Sequence, residues 1–305
     1  MGKIAVVFPG QGAQRPGMGR ALYESSAAAR NIFDAADAVR PGTARQCFEG
    51  SEEVLRETKN TQPCLFVTEL AAAAALTEGS LRADMAAGFS LGELAALCYA
   101  GALDFERGLR LVCRRGELMQ RDAEKQDTAM AAVLALSNDE VGRLCSGFAH
   151  IYPVNFNCPG QVTVSGLASE MEAFSAAVKA AGGRAKLLQV RGAFHTPYMR
   201  EASEEFGAAL EEYTFHAPEI PVYANHTAAP YGADVTGTLR EQMCHPVRWE
   251  ESVRNMLAAG ADTFVELGPG RTLCSLIARI DKGARCYPAS SPEDVAAVLS
   301  EVKKK

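Results

Sequence analysis

A parallel α/β sheet interrupted by a small α+β insertion is the fold the sequence predicts, and three observations predict it. The run Ile4-Ala5-Val6-Val7-Phe8 is β-branched, apolar and stopped by Pro9-Gly10, as expected of a strand buried on both faces. Gly88-Phe89-Ser90-Leu91-Gly92 stands between an apolar stretch and the helix-forming run Glu93-Leu94-Ala95-Ala96-Leu97, the strand–turn–helix context of a nucleophile elbow. Residues 128–190 change texture and carry strand and helix signals in the order β-α-β-β-α-β.

Along the chain, the loop Gly10-Gln11-Gly12-Ala13-Gln14 after the first strand is glycine-rich but lacks the spacing of a nucleotide site. Helical patterns cover 19–39 and, after Thr61-Gln62-Pro63, 64–76. The elbow helix is expected over 91–99, and Asp104 caps a helix reaching to about Arg121. In the insert, 130–136, 151–156, 161–165 and 186–190 read as strands, with Asn157-Cys158-Pro159-Gly160 as a hairpin turn. Ser137 to Glu140 and Ser169 to Glu172 read as two capping boxes opening its helices. This is a ferredoxin-like unit, so the expected division is a core of 1–127 and 191–305 around an insert of 128–190. A helix over 198–213 and short core strands at 221–224 and 263–267 complete the pattern.

Bulk properties narrow the function. Of the 305 residues 48% are hydrophobic and 22% charged, an ordinary globular balance with room for one large domain and a smaller companion. A net charge of −6 argues against nucleic acid or an anionic membrane surface as partner. The nine cysteines form no C-x-x-C pair and the five histidines show no ligand spacing, so no metal site is expected. Free thiols and an N-terminus with only Lys3 ahead of a five-residue apolar run point to a cytoplasmic protein without signal peptide or membrane span.

Acyl transfer through a serine needs an activated hydroxyl, a base, oxyanion donors and a group that reads the acyl chain. Ser90 supplies the hydroxyl. His150, His195, His216, His226 and His245 compete for the base, and His195 is favoured because it lies where the chain returns from the insert.

Several motifs then combine: Phe8-Pro9-Gly10-Gln11-Gly12, Thr61-Gln62-Pro63, Gly88 to Glu93, Arg114-Arg115-Gly116 with Met119-Gln120, Val154-Asn155-Phe156-Asn157, Ala193-Phe194-His195 and Glu266-Leu267-Gly268-Pro269-Gly270. In this order, from Phe8 to about Arg279, the chain resembles the malonyl-CoA:acyl carrier protein transacylases and the acyltransferase domains of polyketide synthases. The resemblance implies an α/β-hydrolase-like core and a ping-pong transfer of malonyl from malonyl-CoA to the phosphopantetheine thiol of acyl carrier protein. The product would feed fatty-acid synthesis, or a polyketide pathway as the alternative; a serine hydrolase is the more distant rival.

Carried over by position, the resemblance makes Ser90 the nucleophile and His195 the base. It makes the Gln11 and Leu91 amides the oxyanion donors and Arg115 the partner of the malonyl carboxylate. Gln62 and Asn157 line the cleft, and Phe194 narrows it against an α-methyl group. The main-chain carbonyl of Gln242 orients His195, so the Gln242 side chain is expected to matter little. No cofactor is implied beyond the substrates, and the chain is expected to be a monomer. Because carrier proteins are acidic, Lys179, Arg184, Lys186, Arg191 and Arg271 are candidates for a basic patch at the cleft mouth. One departure stands out: the family usually has histidine before the nucleophile, and this chain has Phe89.

Overall fold

The computed structural model describes residues 2–188 and 192–303. Among the described residues nine strands form two sheets: β1 (Lys3–Phe8), β2 (Met85–Gly88), β3 (Thr128–Leu134), β4 (Ile151–Cys158), β5 (Gln161–Leu167), β6 (Arg184–Leu187), β7 (Val222–Tyr223), β8 (Ala261–Leu267) and β9 (Arg285–Ala289). The first sheet is parallel throughout in the order β7-β2-β1-β8-β9. In its centre Ala5, Val6, Val7 and Phe8 are all fully buried. Val6 and Phe8 face the long helix Thr58–Glu78 and its neighbours, while Ala5 and Val7 face Trp249, Val253 and Ile277. The period-2 alternation of one strand thus feeds two cores, which is why its sequence is apolar without interruption.

The second sheet has the order β4-β5-β3-β6 and is antiparallel. With helices Asn138–Cys145 and Ala168–Ala180 on one face it is the ferredoxin-like unit expected. Ala131 and Val133 of β3 pack under those helices, and Met130 turns to the opposite side, into the large core. β4 is tied to the core by main-chain bonds between Val154 or Phe156 and Val247. β3 begins at Thr128; the other expected division, at 190/191, lies outside the described residues, as do Val190, Arg191 and the Lys304-Lys305 end. No described helix is long and apolar enough to cross a membrane.

Several local expectations are corrected. Helix Thr58–Glu78 starts before Pro63 and contains it. Burial on nearly every side outweighs the roughly 3 kcal/mol penalty of an internal proline. The expected 19–39 helix is broken at Ser26, whose hydroxyl caps the second piece. The capping box at Ser137 and Glu140 is present, but the one at Ser169 is not. β5 runs to Leu167 and the helix begins directly at Ala168, leaving no loop to cap. β4 extends through Cys158, so the hairpin turn is only Pro159-Gly160. Cys274 and Cys286 form a disulfide with Cα atoms 5.2 Å apart, against the expectation of free thiols. Helix Thr272–Ile280 and neighbouring β9 bring the two together, and the strand β9 gave no signal of its own.

Candidate active site

Gln11, just past the carboxyl end of β1, and Ser90, just past that of β2, line one crevice, where ligands of parallel sheets are expected. β2 stops at Gly88 and helix Gly92–Tyr99 starts at once. Ser90 sits between them at φ 54°, in the left-handed region. A Cβ on Gly88 would overlap the Gly92 carbonyl, and one on Gly92 would overlap the Phe8 carbonyl. The turn is therefore closed to any residue but glycine at both positions.

His195 reaches Ser90 from the other end of the insert. Its Nε2 lies 2.8 Å from Ser90 Oγ. Its Nδ1 faces two carbonyls, Gln242 O at 2.9 Å and His245 O at 3.2 Å. Carbonyls only accept, so Nδ1 carries the hydrogen and Nε2 presents its lone pair to the serine hydroxyl. Burial, and then the nearby Arg115 charge, push the imidazole from 6.5 down to about 4. It is neutral at physiological pH.

Arg115 projects from helix Phe105–Ala123 and is 1% exposed. Its Nη1 donates to Gln62 Oε1 at 2.8 Å, and its Nη2 donates to Gln242 Oε1 at 2.8 Å and Ser90 Oγ at 3.2 Å. Burial lowers it to about 10, partly offset by Glu93, so it stays charged at neutral pH. A cavity of 110 Å³ joins these groups, lined among others by Gln11, Gln62, Ser90, Leu91, Arg115, Phe194 and His195. A larger cleft of 720 Å³ shares Gln11 and runs to Thr128. Phe89 also lines the small cavity, and its ring packs 5.6 Å from that of Trp249.

Two expectations fail here. Asn157 does not line the cavity; its Nδ2 donates to Thr163 Oγ1 at 3.0 Å. Asn155 lines it instead, with Oδ1 buried and unpartnered. Register shifts between β4 and β5 on both sides of Asn155 re-aim these side chains. The Gln242 side chain is not idle either: besides holding Arg115, its Nε2 donates to Ser90 O at 2.8 Å and Glu93 Oε2 at 2.7 Å.

Sequence reasoning missed Asn225. Its Oδ1 accepts the Ser90 N–H at 2.6 Å and its Nδ2 donates to Gly88 O at 2.5 Å, so one side chain clamps the elbow. A polar residue just past the carboxyl end of β7 was the available signal. Glu93 stands in the sequence only as the last residue of the elbow motif. It is fully buried and accepts from Tyr231 OH, the Asn225 N–H and Gln242. Of the basic residues expected at the cleft mouth, Lys179, Arg184, Lys186 and Arg271 are exposed.

A family model described as acyl transferase domain matches residues 5–302. A malonyl CoA-acyl carrier protein transacylase of Bacillus subtilis is 36% identical over 99% of this chain and 98% of its own length. The crystal structure of a malonyl-CoA:acyl carrier protein transacylase from Xanthomonas oryzae superposes with a TM-score of 0.94 at 36% identity, covering 99% of this chain and 98% of that one. A malonyl-transacylase solved in complex with its type II polyketide acyl carrier protein superposes with a TM-score of 0.95 at 33% identity, covering 98% and 99%.

Proposed function

The chain belongs to the acyl transferase family, and on that premise we propose how its crevice performs the chemistry. It is a malonyltransferase: it moves malonyl from malonyl-CoA to an acyl carrier protein, for fatty acid or polyketide synthesis. The observation that carries the mechanism is the meeting of three groups at one oxygen: Ser90 Oγ lies 2.8 Å from His195 Nε2 and 3.2 Å from Arg115 Nη2.

His195 Nε2 takes the Ser90 proton as Oγ bonds the thioester carbon. The Gln11 and Leu91 amides hold the oxyanion that forms. The intermediate collapses, the C–S bond breaks, and His195 returns the proton to the departing thiolate of coenzyme A. The carrier thiol then attacks the Ser90 ester by the same steps reversed. Arg115 grips the malonyl carboxylate with its planar fork, and the cavity of 110 Å³ bounded in part by Phe194 suits a small acyl group. The two carbonyls behind His195 stabilise imidazolium less than a carboxylate would, so the base is modest and suited to a reactive thioester. The scheme calls on no cofactor beyond the substrates, and the enzyme acts as a monomer.

Incubation with malonyl-CoA and acyl carrier protein tests this against hydrolysis. Malonyl-loaded carrier protein is the expected product; free malonate alone would make the chain a hydrolase.

A further inference from the structure

We infer that Glu93 governs which acyl groups the pocket accepts, by fixing the direction of the Gln242 carboxamide that holds Arg115. The inference rests on the malonyl reading above. Glu93 does not line the acyl cavity, so it acts as a positioning residue.

The two ends of a carboxamide are nearly the same size, and only their partners decide which way it faces. Gln242 Nε2 has two acceptors, Ser90 O at 2.8 Å and Glu93 Oε2 at 2.7 Å, and this leaves Oε1 for Arg115 Nη2 at 2.8 Å. The reversed amide would set an NH₂ against the guanidinium and an oxygen against a carboxylate. Of the two acceptors only Glu93 is ionisable: burial raises it to about 7, the bonds from Tyr231, Gln242 and the Asn225 N–H favour its charged form, and in that form its bond to Nε2 is the stronger, charge-assisted one. Glu93 is itself fixed, because Tyr231 OH donates to Oε1 and the Asn225 N–H donates to Oε2 at 3.0 Å. With Gln62 Oε1 holding Nη1 at 2.8 Å, the chain of contacts Glu93–Gln242–Arg115 fixes the other end of the guanidinium and so its plane before substrate arrives. A malonyl carboxylate uses that plane for both its oxygens. An acetyl group has nothing that does.

The test compares rates of self-acylation by malonyl-CoA and acetyl-CoA, read by intact mass, in the wild type, Glu93→Leu and Glu93→Gln. Glu93→Leu is expected to lower the malonyl rate about tenfold to a hundredfold, the scale of an unpaired buried polar group, and the acetyl rate only a few fold. The preference for malonyl falls by the difference. Glu93→Gln keeps all three partners: its oxygen accepts from Asn225 and Gln242, and its NH₂ donates to Tyr231 Oη. It should retain most of the preference. Equal losses on both substrates in Glu93→Leu, or a glutamine variant as indiscriminate as the leucine one, would overturn the inference. If circular dichroism shows Glu93→Leu unfolded, Gln242→Met carries the test, since it removes the relay but leaves the main-chain carbonyl behind His195. An unchanged preference there overturns the inference as well. A wild type that accepts no malonyl breaks the functional reading instead.

Discussion

Arg115 Nη2 donates to Ser90 Oγ at 3.2 Å, so the group proposed to read the substrate touches the proposed nucleophile. On that proposal a malonyl carboxylate engages the guanidinium beside the hydroxyl, which brings its thioester carbon into range. Arg115→Ala should therefore cost malonyl transfer about 3–5 kcal/mol in kcat/KM, the scale of breaking a buried charge pair. Acetyl transfer should change far less. Steady-state kinetics on the two thioesters checks this, and malonyl transfer untouched by the substitution removes Arg115 from its role.

The base predicts an unusual pH profile. His195 must be neutral to accept a proton, and its pKa is pushed down to about 4. The acid limb of kcat/KM for malonyl-CoA should thus lie well below the ordinary 6.5. The same shift acts on stability. Its contribution is fully present above about pH 6.5 and is lost progressively as pH falls toward about 4, because only the unfolded chain binds the proton in that window. A kinetic limb at or above 6.5 would mean that the imidazole is solvated in the working enzyme.

Asn225→Ala should loosen the elbow. It removes the acceptor of the half-buried Ser90 N–H and the donor to the buried Gly88 O. A loss of about 1–3 kcal/mol in stability is expected, with a fall in kcat larger than the change in KM. Thermal unfolding and kinetics together check it.

Gly88→Ala should be worse than any of these. Its methyl would meet the Gly92 main chain, which cannot yield without moving helix Gly92–Tyr99 off Ser90. A destabilisation above about 4 kcal/mol, or insoluble protein, is expected from a clash between backbone elements. Normal folding of that variant would show that the turn is roomier than described.

What the sequence made legible was whatever a short window encodes. Residues 4–8 announce a buried strand because both faces need apolar side chains, and the elbow announces itself because only glycine fits beside Ser90. Glu93 meets Asn225 and Tyr231 across intervals of more than a hundred residues, and nothing local in the sequence marks that meeting. Asn155 and Asn157 could not be told apart because the irregularities that re-aim them depend on pairing with β5. In the sequence a task for the Gln242 carbonyl leaves none for its side chain; only the fold shows that one residue performs two.

Intact-protein mass after mixing the chain with malonyl-CoA, without carrier protein, tests the central claim most directly. One malonyl increment is expected, mapping to Ser90, absent in Ser90→Ala and discharged when the carrier thiol is added. No increment, or one that persists in Ser90→Ala, would contradict the account.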